Sequence, residues 1–426
     1  MTSQPAPLLY AEFLSHIRQI SLAISLGSAS DASTRVVVAA DGENVELNHH
    51  GQSHTLRLPS KVALSGASLP IQRPGASTLS WRLPLGQAKN ADASSADSST
   101  WTATDLKAGS QVACRQCHGV VVNQGVVKVW KDLPSENWAE MMEFWHCHKP
   151  DDHDHDHDDY HHHDKANGVA TTGQNAKADD TSLAARGYGA SSLISAQQSV
   201  GFVDLTTLLF VERDCSNIIY SLSTPEHGSS DRQTVASDES SSQIRSLNVF
   251  CPSCQAQLGF YNFRTAAVTL LKWQISCNSF SNLSPGLEEC LAATLISTIA
   301  RSGSSKSLLL PITETIATTE EDGVGKDKVV HIWVLNSGIV YASSATEAAA
   351  TRPGAGRGIS AIKLLYRLVS REEADRMLDS LTGDAQEVNI PVKAIKEVLQ
   401  HLDRSNCLLP TAERVFKEWK VGLLRR

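Results

Sequence analysis

The sequence predicts an α+β protein that is rich in β-strands, and three observations favour this class. Short segments with alternating apolar and polar residues fill roughly the first 130 residues. Two Cys-x-x-Cys pairs interrupt strand-like segments in the middle of the chain. Two amphipathic helical patterns follow near the end, at Glu372–Leu381 and after Pro391. Strands and helices that are grouped in blocks, instead of alternating along the chain, are typical of α+β folds.

The first predicted unit covers residues 1–150 and is an antiparallel β-domain, either a sandwich or an open barrel. Strands are expected within Ile17–Leu26 and Thr78–Pro84, where apolar residues alternate with polar ones. The pair Asp41-Gly42 separates two further runs of this kind, which predicts a hairpin because these residues accept the backbone angles of tight turns.

This unit is predicted to end in a short helix that begins at Pro134 and Ser135. Its apolar face has the spacing i, i+3, i+4, i+7 and consists of Trp138, Met141, Met142 and Trp145. At roughly 100° per residue Cys147 lies off that face, so Cys147 and His148 are expected to be presented at the helix end. Trp138, Trp145, Cys147 and His148 are therefore the candidate partner-binding residues. The alternative for Cys147 is a buried thiol or a metal ligand within its own chain.

Residues 151–199 are predicted to be a disordered linker, because Asp, His, Gly, Ala and Ser dominate and little apolar surface is available for a core. Its six histidines between positions 153 and 163 are expected to bind metals only weakly and to have no catalytic role. The last unit covers residues 200–426 and is predicted to be a mixed α+β domain with a disordered insert at 223–243. It ends in the two helices, and a hairpin is expected at Asn336-Ser337-Gly338.

Composition excludes some functions. The chain has 426 residues and a net charge of −8, with 38 basic against 46 acidic side chains, which argues against a nucleic-acid groove. No secretory signal opens it, and no apolar run approaches the ~18 residues of a membrane span. The nine cysteines are an odd number. We therefore expect an intracellular protein with reduced thiols that binds neither nucleic acid nor membrane.

The two Cys-x-x-Cys pairs predict a zinc-stapled centre in which one structural Zn²⁺ binds Cys114, Cys117, Cys251 and Cys254. Two thiolates at this spacing occupy one turn, and four thiolates complete a tetrahedral site. Two alternatives stay open. The pairs can be separate reduced thiols in strand turns, or Cys114 and Cys117 can share a metal with Cys147 and His148.

Several motifs together resemble the HECT-like ubiquitin-conjugating-enzyme-binding family. They are Leu133–Trp138 with Trp145–His148, the two Cys-x-x-Cys pairs, and the ending Leu409–Leu424. The resemblance covers nearly the whole chain, from Tyr10 to the C-terminus. It implies an E3-type ubiquitin-protein ligase, a ubiquitin-protein transferase if it is an enzyme, that binds a ubiquitin-conjugating enzyme. Cyclin B is among the implied substrates, and the implied location is cytoplasm and nucleus.

The resemblance also leaves a second function open. The family is tied to the metallo-β-lactamase-fold nuclease of mRNA 3′-end processing, so the chain can instead be a non-enzymatic binding factor for that nuclease. Cys147 and His148 would then bind the partner's zinc, for which thiolate and imidazole are good ligands. A HECT ligase carries ubiquitin on a cysteine near its C-terminus. Cys407 is the candidate here, although no His or acidic residue follows it at HECT-like spacing.

Overall fold

The computed structural model describes residues 6–86, 100–133, 196–221, 246–280, 284–312, 327–345, 358–380 and 385–426. Within these ranges the β-rich α+β class is confirmed, because 23 strands in four sheets accompany three α-helices. The insert predicted at 223–243 lies outside the described residues, as does the linker predicted at 151–199 up to residue 195. No helix in the described part is long and apolar enough to cross a membrane.

A nine-stranded sheet contains strands from both ends of the chain. Its longest strand is β19 (Lys328–Ser343), which pairs along one edge with β20 (Ile359–Ser370). The other edge is shared by β1 (Leu8–Leu14) and β18 (Lys306–Pro311). Both predicted units, 1–150 and 200–426, therefore contribute strands to one sheet. The domain boundaries proposed from the sequence stay a prediction. The other strands of this sheet are β2 (Gln19–Ser25), β7 (Thr78–Pro84), β21 (Gln386–Ile390), β22 (Val415–Phe416) and β23 (Trp419–Arg425).

The hairpin predicted at Asn336-Ser337-Gly338 is wrong, because β19 continues through these residues as one strand. The register against β20 shifts between Val334 and Asn336 and again between Asn336 and Ile339. The Asn336 side chain accepts a hydrogen bond from the Gly338 N–H at 3.0 Å. The local bond accompanies a bulge in β19, and pairing with β20 resumes on both sides of it. The turn-forming residues therefore interrupt the register without reversing the strand.

A four-stranded sheet packs on β1, β2 and β7 and forms the predicted sandwich. Its strands are β3 (Arg35–Val38), β4 (Asn44–His49), β5 (Gln52–Arg57) and β6 (Ser68–Leu69). The hairpin predicted at Asp41-Gly42 is confirmed, since Val38 pairs with Val45. Gly42 has φ +68°, a conformation that glycine adopts without strain, and the Asp41 carboxylate accepts the Glu43 N–H at 2.7 Å. Alternating apolar residues from both sheets fill the core, among them Leu9, Leu22, Ile24, Val36, Val45 and Leu47.

A seven-stranded and a three-stranded sheet share another core. The seven strands are β10 (Val129–Asp132), β11 (Val200–Val203), β12 (Thr207–Val211), β13 (Ile219–Ser221), β14 (Ser246–Phe250), β15 (Gln257–Asn262) and β16 (Ala267–Leu271). The three are β8 (Val112–Cys114), β9 (Val120–Val122) and β17 (Ile275–Cys277). Their shared core includes two of the motif cysteines, Cys114 and Cys251, beside Val121, Leu247 and Val249.

The described helices are α1 (Leu287–Ser302), α2 (Arg371–Leu378) and α3 (Val392–Asn406). Helices α1 and α3 cover one face of the nine-stranded sheet, and their apolar stripes meet strand residues such as Val330, Ile332 and Leu364. Helix α2 packs through Ala374 against Val329. Val329 is adjacent to Val330 along the strand, so its side chain points to the opposite face of the sheet. Both helices predicted near the end are confirmed, and strand β23 follows them as the last element.

Candidate metal centre

The first Cys-x-x-Cys motif occupies the loop between β8 and β9. The Cys114 N–H donates to the Gly119 carbonyl at 2.8 Å, and the His118 N–H donates back to the Cys114 carbonyl at 2.9 Å. His118 has φ +61°, in the left-handed region, which closes the turn tightly. The Gly119 backbone then continues into β9. A Cβ on Gly119 would lie 3.4 Å from the Cys117 Sγ and 3.7 Å from the Cys251 Sγ, so only a small residue suits this position.

The second motif repeats this loop between β14 and β15. The Cys251 N–H donates to the Ala256 carbonyl at 2.9 Å, and the Gln255 N–H donates to the Cys251 carbonyl at 2.9 Å. Gln255 has φ +58°, at the position equivalent to His118. The two loops therefore have the same backbone plan, although their sequences share little beyond the two cysteines.

The loops face each other, so that the four thiols form one cluster. The Cys114 and Cys254 Sγ atoms are 3.6 Å apart, and the Cys117 and Cys251 Sγ atoms are 3.4 Å apart. All four sulfur atoms lie within 4.8 Å of one another. In a tetrahedron with metal–sulfur bonds of ~2.3 Å the sulfur atoms are about 3.8 Å apart. The cluster therefore has the size of a four-thiolate metal site, and it can hold a metal ion such as zinc.

Backbone amides are placed to stabilise negative charge on the sulfurs. The N–H of Gly119 and a bond with Cys251 lower the pKa of the Cys117 thiol to about 7. Burial raises the pKa of Cys114, despite backbone N–H groups directed at its sulfur, and burial raises that of Cys254 to about 12. Burial is the largest cause for both of these thiols, and neighbouring cysteines add to it. A cation bound in the centre would supply the charge that ionises them, as metal ions do for their thiolate ligands.

The metal centre is tied to the helical side of the nine-stranded sheet through Arg115. Its guanidinium donates to the carbonyl of Pro285 at 2.8 Å, just before α1, and to that of Ile275 at 3.3 Å. A polar cleft of about 350 Å³ lies beside this contact and is lined by Gln116, by the start of α1 and by one side of α3. Inside it the His401 Nδ1 and a Glu288 carboxylate oxygen are 2.6 Å apart.

Cys407, the candidate thioester residue, lies at the C-terminal cap of α3 and is exposed. Its Sγ contacts the Asp403 carbonyl oxygen at 3.5 Å, and its own carbonyl accepts a hydrogen bond from Arg414 at 3.1 Å. The carbonyl end of a helix disfavours a thiolate, because its dipole is negative there. The structure therefore brings Cys407 to the surface without placing it beside a base. Its catalytic role stays a prediction.

The other candidate residues lie outside the described part of the chain. Trp138, Trp145, Cys147 and His148 fall between residues 134 and 195, as do the six clustered histidines. Their predicted roles in partner binding stay predictions. The structure places Cys114 and Cys117 next to Cys251 and Cys254 in one cluster. The two pairs are therefore not separate in the fold.

Sequence reasoning missed a hydroxyl–imidazole network in the four-stranded sheet, formed around Ser28, His49 and His50. The two adjacent histidines at the end of β4 were the only hint of this network in the sequence. Their partners lie in a different loop, which comes close to them only in the folded protein. It also missed His331, a buried residue whose two ring nitrogens form no hydrogen bond within the described part of the chain.

The chain belongs to the family described as HECT-like ubiquitin-conjugating enzyme (E2)-binding, whose model matches residues 12–421. Two uncharacterized yeast proteins are similar over a short segment. One, from Saccharomyces cerevisiae, is 40% identical over 53 residues, which are 12% of this chain and 15% of the relative. The other, from Schizosaccharomyces pombe, is 40% identical over 52 residues, 11% of this chain and 15% of the relative. No solved structure matches the chain.

Proposed function

We propose that this chain binds a ubiquitin-conjugating enzyme and promotes ubiquitin transfer to protein substrates, as an E3-type ubiquitin-protein ligase. The observation that carries this proposal is the family match over residues 12–421, which includes both cysteine loops and reaches into β1 and β23, the strands at the two ends of the fold. The match spans segments that pair with one another in one sheet, so it describes a whole folded unit.

We further propose that the four cysteines bind a structural Zn²⁺. Thiolate ligands in tetrahedral geometry favour zinc among the common divalent ions, and four protein ligands leave no open position for a substrate. The metal then contributes to folding, and the surface that binds the conjugating enzyme depends on it only indirectly.

Binding to a panel of ubiquitin-conjugating enzymes, measured by biolayer interferometry with the full chain, tests the proposal together with discharge of their thioester-linked ubiquitin. We expect at least one enzyme to bind and to discharge faster in the presence of the chain. Cys407→Ala should keep both properties, because its thiol lies at a helix C-terminus without a base. Absence of binding across the panel would contradict the proposal.

Cyclin B as a substrate, and cytoplasm and nucleus as locations, remain proposals that follow from the resemblance. The alternative of a binding factor for the mRNA 3′-end nuclease rests on Cys147 and His148. A pull-down of that nuclease with wild type and with Cys147→Ala separates the two functions. Loss of capture in the variant, with discharge of the conjugating enzyme unchanged, would favour the alternative.

A further inference from the structure

A network of hydrogen-bonded side chains joins two loops at one end of the sandwich. Ser28 follows β2, Asp31 and Thr34 precede β3, and His49 and His50 stand at the turn between β4 and β5. The Ser28 Oγ is 2.8 Å from the His49 Nε2 and 2.9 Å from the His50 Nε2. The two rings lie 4.1 Å apart between centroids. One serine hydroxyl therefore lies between two imidazoles.

The hydrogen-bond partners of Thr34 fix the tautomer of His49. The Thr34 hydroxyl donates to an Asp31 carboxylate oxygen at 3.1 Å, because a carboxylate can only accept. Its single proton is then used, so the Thr34 oxygen accepts from the His49 Nδ1–H at 2.9 Å. The His49 Nε2 therefore carries a lone pair and accepts the proton of Ser28.

The second imidazole has the complementary role. Because the Ser28 proton points to His49, the Ser28 oxygen accepts a hydrogen bond from the His50 Nε2–H. The other ring nitrogen of His50, Nδ1, faces an Asp31 carboxylate oxygen at 3.4 Å. Ser28 thus has a base on one side and a hydrogen-bond donor on the other, and the Thr34 hydroxyl orients the base. This is the arrangement that activates a hydroxyl nucleophile.

The two histidines differ in exposure, and the difference suits a buried base beside an accessible nucleophile. His49 is buried, with 5% of its surface exposed, and burial followed by the charge of His50 lowers its pKa, which keeps it neutral and able to take a proton. His50 is exposed and Ser28 is half-buried, and the hydrogen bond between their side chains lies at the surface. An electrophile can reach the oxygen from the solvent side.

We propose that Ser28 is an acyl-accepting nucleophile, with His49 as its general base and a ubiquitin thioester as its acyl donor. The identity of the donor rests on the proposed function. In the step, the Ser28 Oγ forms a bond to the thioester carbonyl carbon and the carbon–sulfur bond breaks. The Ser28 proton passes to the His49 Nε2 and then to the leaving thiolate. The products are a serine ester of ubiquitin and a free thiol.

A fluorophosphonate probe tests the reactivity of Ser28 without any conjugating enzyme, since such probes label activated serines. We expect one adduct on the full chain, located at Ser28 by peptide mass spectrometry. Ser28→Ala should abolish the adduct, and His49→Asn should slow labelling by about a hundredfold, the range of a lost general base. Ser53→Ala, an exposed serine on β5 of the same sheet, is the matched control and should label like wild type.

Melting temperatures of all variants guard against unfolding, and His50→Gln provides an exposed second variant if His49→Asn does not fold. His50→Gln should slow labelling at an unchanged melting temperature. Labelling of wild type at Ser28 no faster than at other serines, or equal rates in Ser28→Ala, would overturn the proposal. The network would then be a structural tie between loops and nothing more.

Incubation with ubiquitin-charged conjugating enzymes tests the acyl donor. We expect a ubiquitin adduct that resists reductant and is cleaved by mild hydroxide in wild type, none in Ser28→Ala, and a reductant-sensitive one in Ser28→Cys. If the enzyme binds but no adduct forms, the thioester is overturned as the donor while the proposed function stands. If no enzyme binds, the proposed function and this donor both fail, and the fluorophosphonate result still decides whether Ser28 is activated.

Discussion

The four-cysteine centre and the site of His331 both bury polar side chains among apolar ones, but they do so in opposite ways. In the centre, each loop directs backbone N–H groups at its sulfurs, and the four thiols face one another. His331 is 3% exposed, and neither of its ring nitrogens has a hydrogen-bond partner among the residues that the structure describes. Its ring instead packs edge-on against Trp419, with centroids 4.7 Å apart.

The difference shows how buried polarity is compensated. The four thiols converge on a point where one cation could bind all of them, which would compensate the burial of Cys114 and Cys251. Arg367 is the cross-strand partner of His331, and its guanidinium stacks on Trp419 at 4.7 Å. The positive charge of Arg367 makes protonation of His331 unfavourable. The first site can gain stability by binding an ion, and the second has an unfavourable term that the surrounding apolar packing must offset.

Removal of the metal should have the largest effect. Cys251→Ser, or treatment with a strong chelator, is expected to destabilise the chain by several kcal/mol, because structural zinc binding is coupled to folding. Cys251 is buried in the core shared by the seven- and three-stranded sheets, so the loss should reach beyond the loop. Thermal unfolding with and without chelator measures it. A chelated protein without metal and with an unchanged midpoint would contradict the metal-based explanation.

The His331 site should show the opposite response to acid and to substitution. Burial, then the charges of Arg367 and Lys306, lower the pKa of His331 to about 4. The unfolded ring binds its proton near pH 6.5, so stability is full above that value and falls by about 3 kcal/mol as the pH drops toward 4. His331→Phe should remove this slope and gain roughly 1–3 kcal/mol at pH 7, since no hydrogen bond is lost.

Urea denaturation of wild type and His331→Phe between pH 4 and 8 provides the measurement. If the variant were markedly less stable than wild type at pH 7, the ring nitrogens of His331 would have to form stabilising hydrogen bonds in solution, which would contradict this explanation. Equal pH slopes for both proteins would place the acid sensitivity elsewhere in the chain.

A second histidine, His401, sharpens the contrast because one of its ring nitrogens is paired with a carboxylate. The hydrogen bond to Glu288 raises the pKa of His401 against the effect of burial. Burial acts to raise the pKa of Glu288, but the hydrogen bond and charge of His401 with the charge of Arg425 lower it overall. The stability that His401 contributes is complete below about pH 6.5 and is lost as the pH rises through its raised pKa.

His401→Gln is therefore expected to cost about 1 kcal/mol or less near pH 6, the range for partly exposed ion pairs, and still less at pH 9. The same urea series checks this prediction, with His401 and His331 acting as controls for each other because their slopes have opposite signs. A cost that grows with pH would contradict the assignment of the pair.

Cys407→Ala should have the smallest effect and tests whether metal binding is confined to the four clustered cysteines. The side chain is exposed at the end of α3, where substitutions usually change stability by less than ~0.5 kcal/mol. Melting temperature and zinc content should match wild type. A variant that loses metal would mean that Cys407 takes part in the centre in solution.

The sequence alone predicts each Cys-x-x-Cys pair, because ligand spacing within a loop is a local property, whereas the structure shows that the two pairs meet. The same holds for the hairpin at Asp41-Gly42 and for the helix after Pro391, where turn residues and periodicity lie within a few positions. The failure at Asn336–Gly338 has a tertiary cause. These residues suit a turn, but β20 pairs with both flanking segments of β19 and keeps them in one strand.

Long-range pairing was beyond the reach of sequence patterns. Strand β1 lies beside β19, more than 300 positions away, since Tyr10 pairs with Ser343. The network around Ser28 depends on the same kind of information, because loops after β2 and β4 meet only when the sandwich forms. His331 lies in a strand pattern that reads as apolar, and only the packed sheet shows that its nitrogens lack partners.

The most direct test of the metal centre is X-ray absorption spectroscopy at the zinc edge on the chain with residues 151–164 deleted, which removes the clustered histidines. Four Cys ligands predict one zinc per chain with four sulfur atoms at ~2.3 Å and no nitrogen in the first shell. A shell with three sulfurs and one nitrogen would indicate the rival set of Cys114, Cys117, Cys147 and His148. That result, or a protein without stoichiometric zinc, would contradict the centre described by the four cysteines.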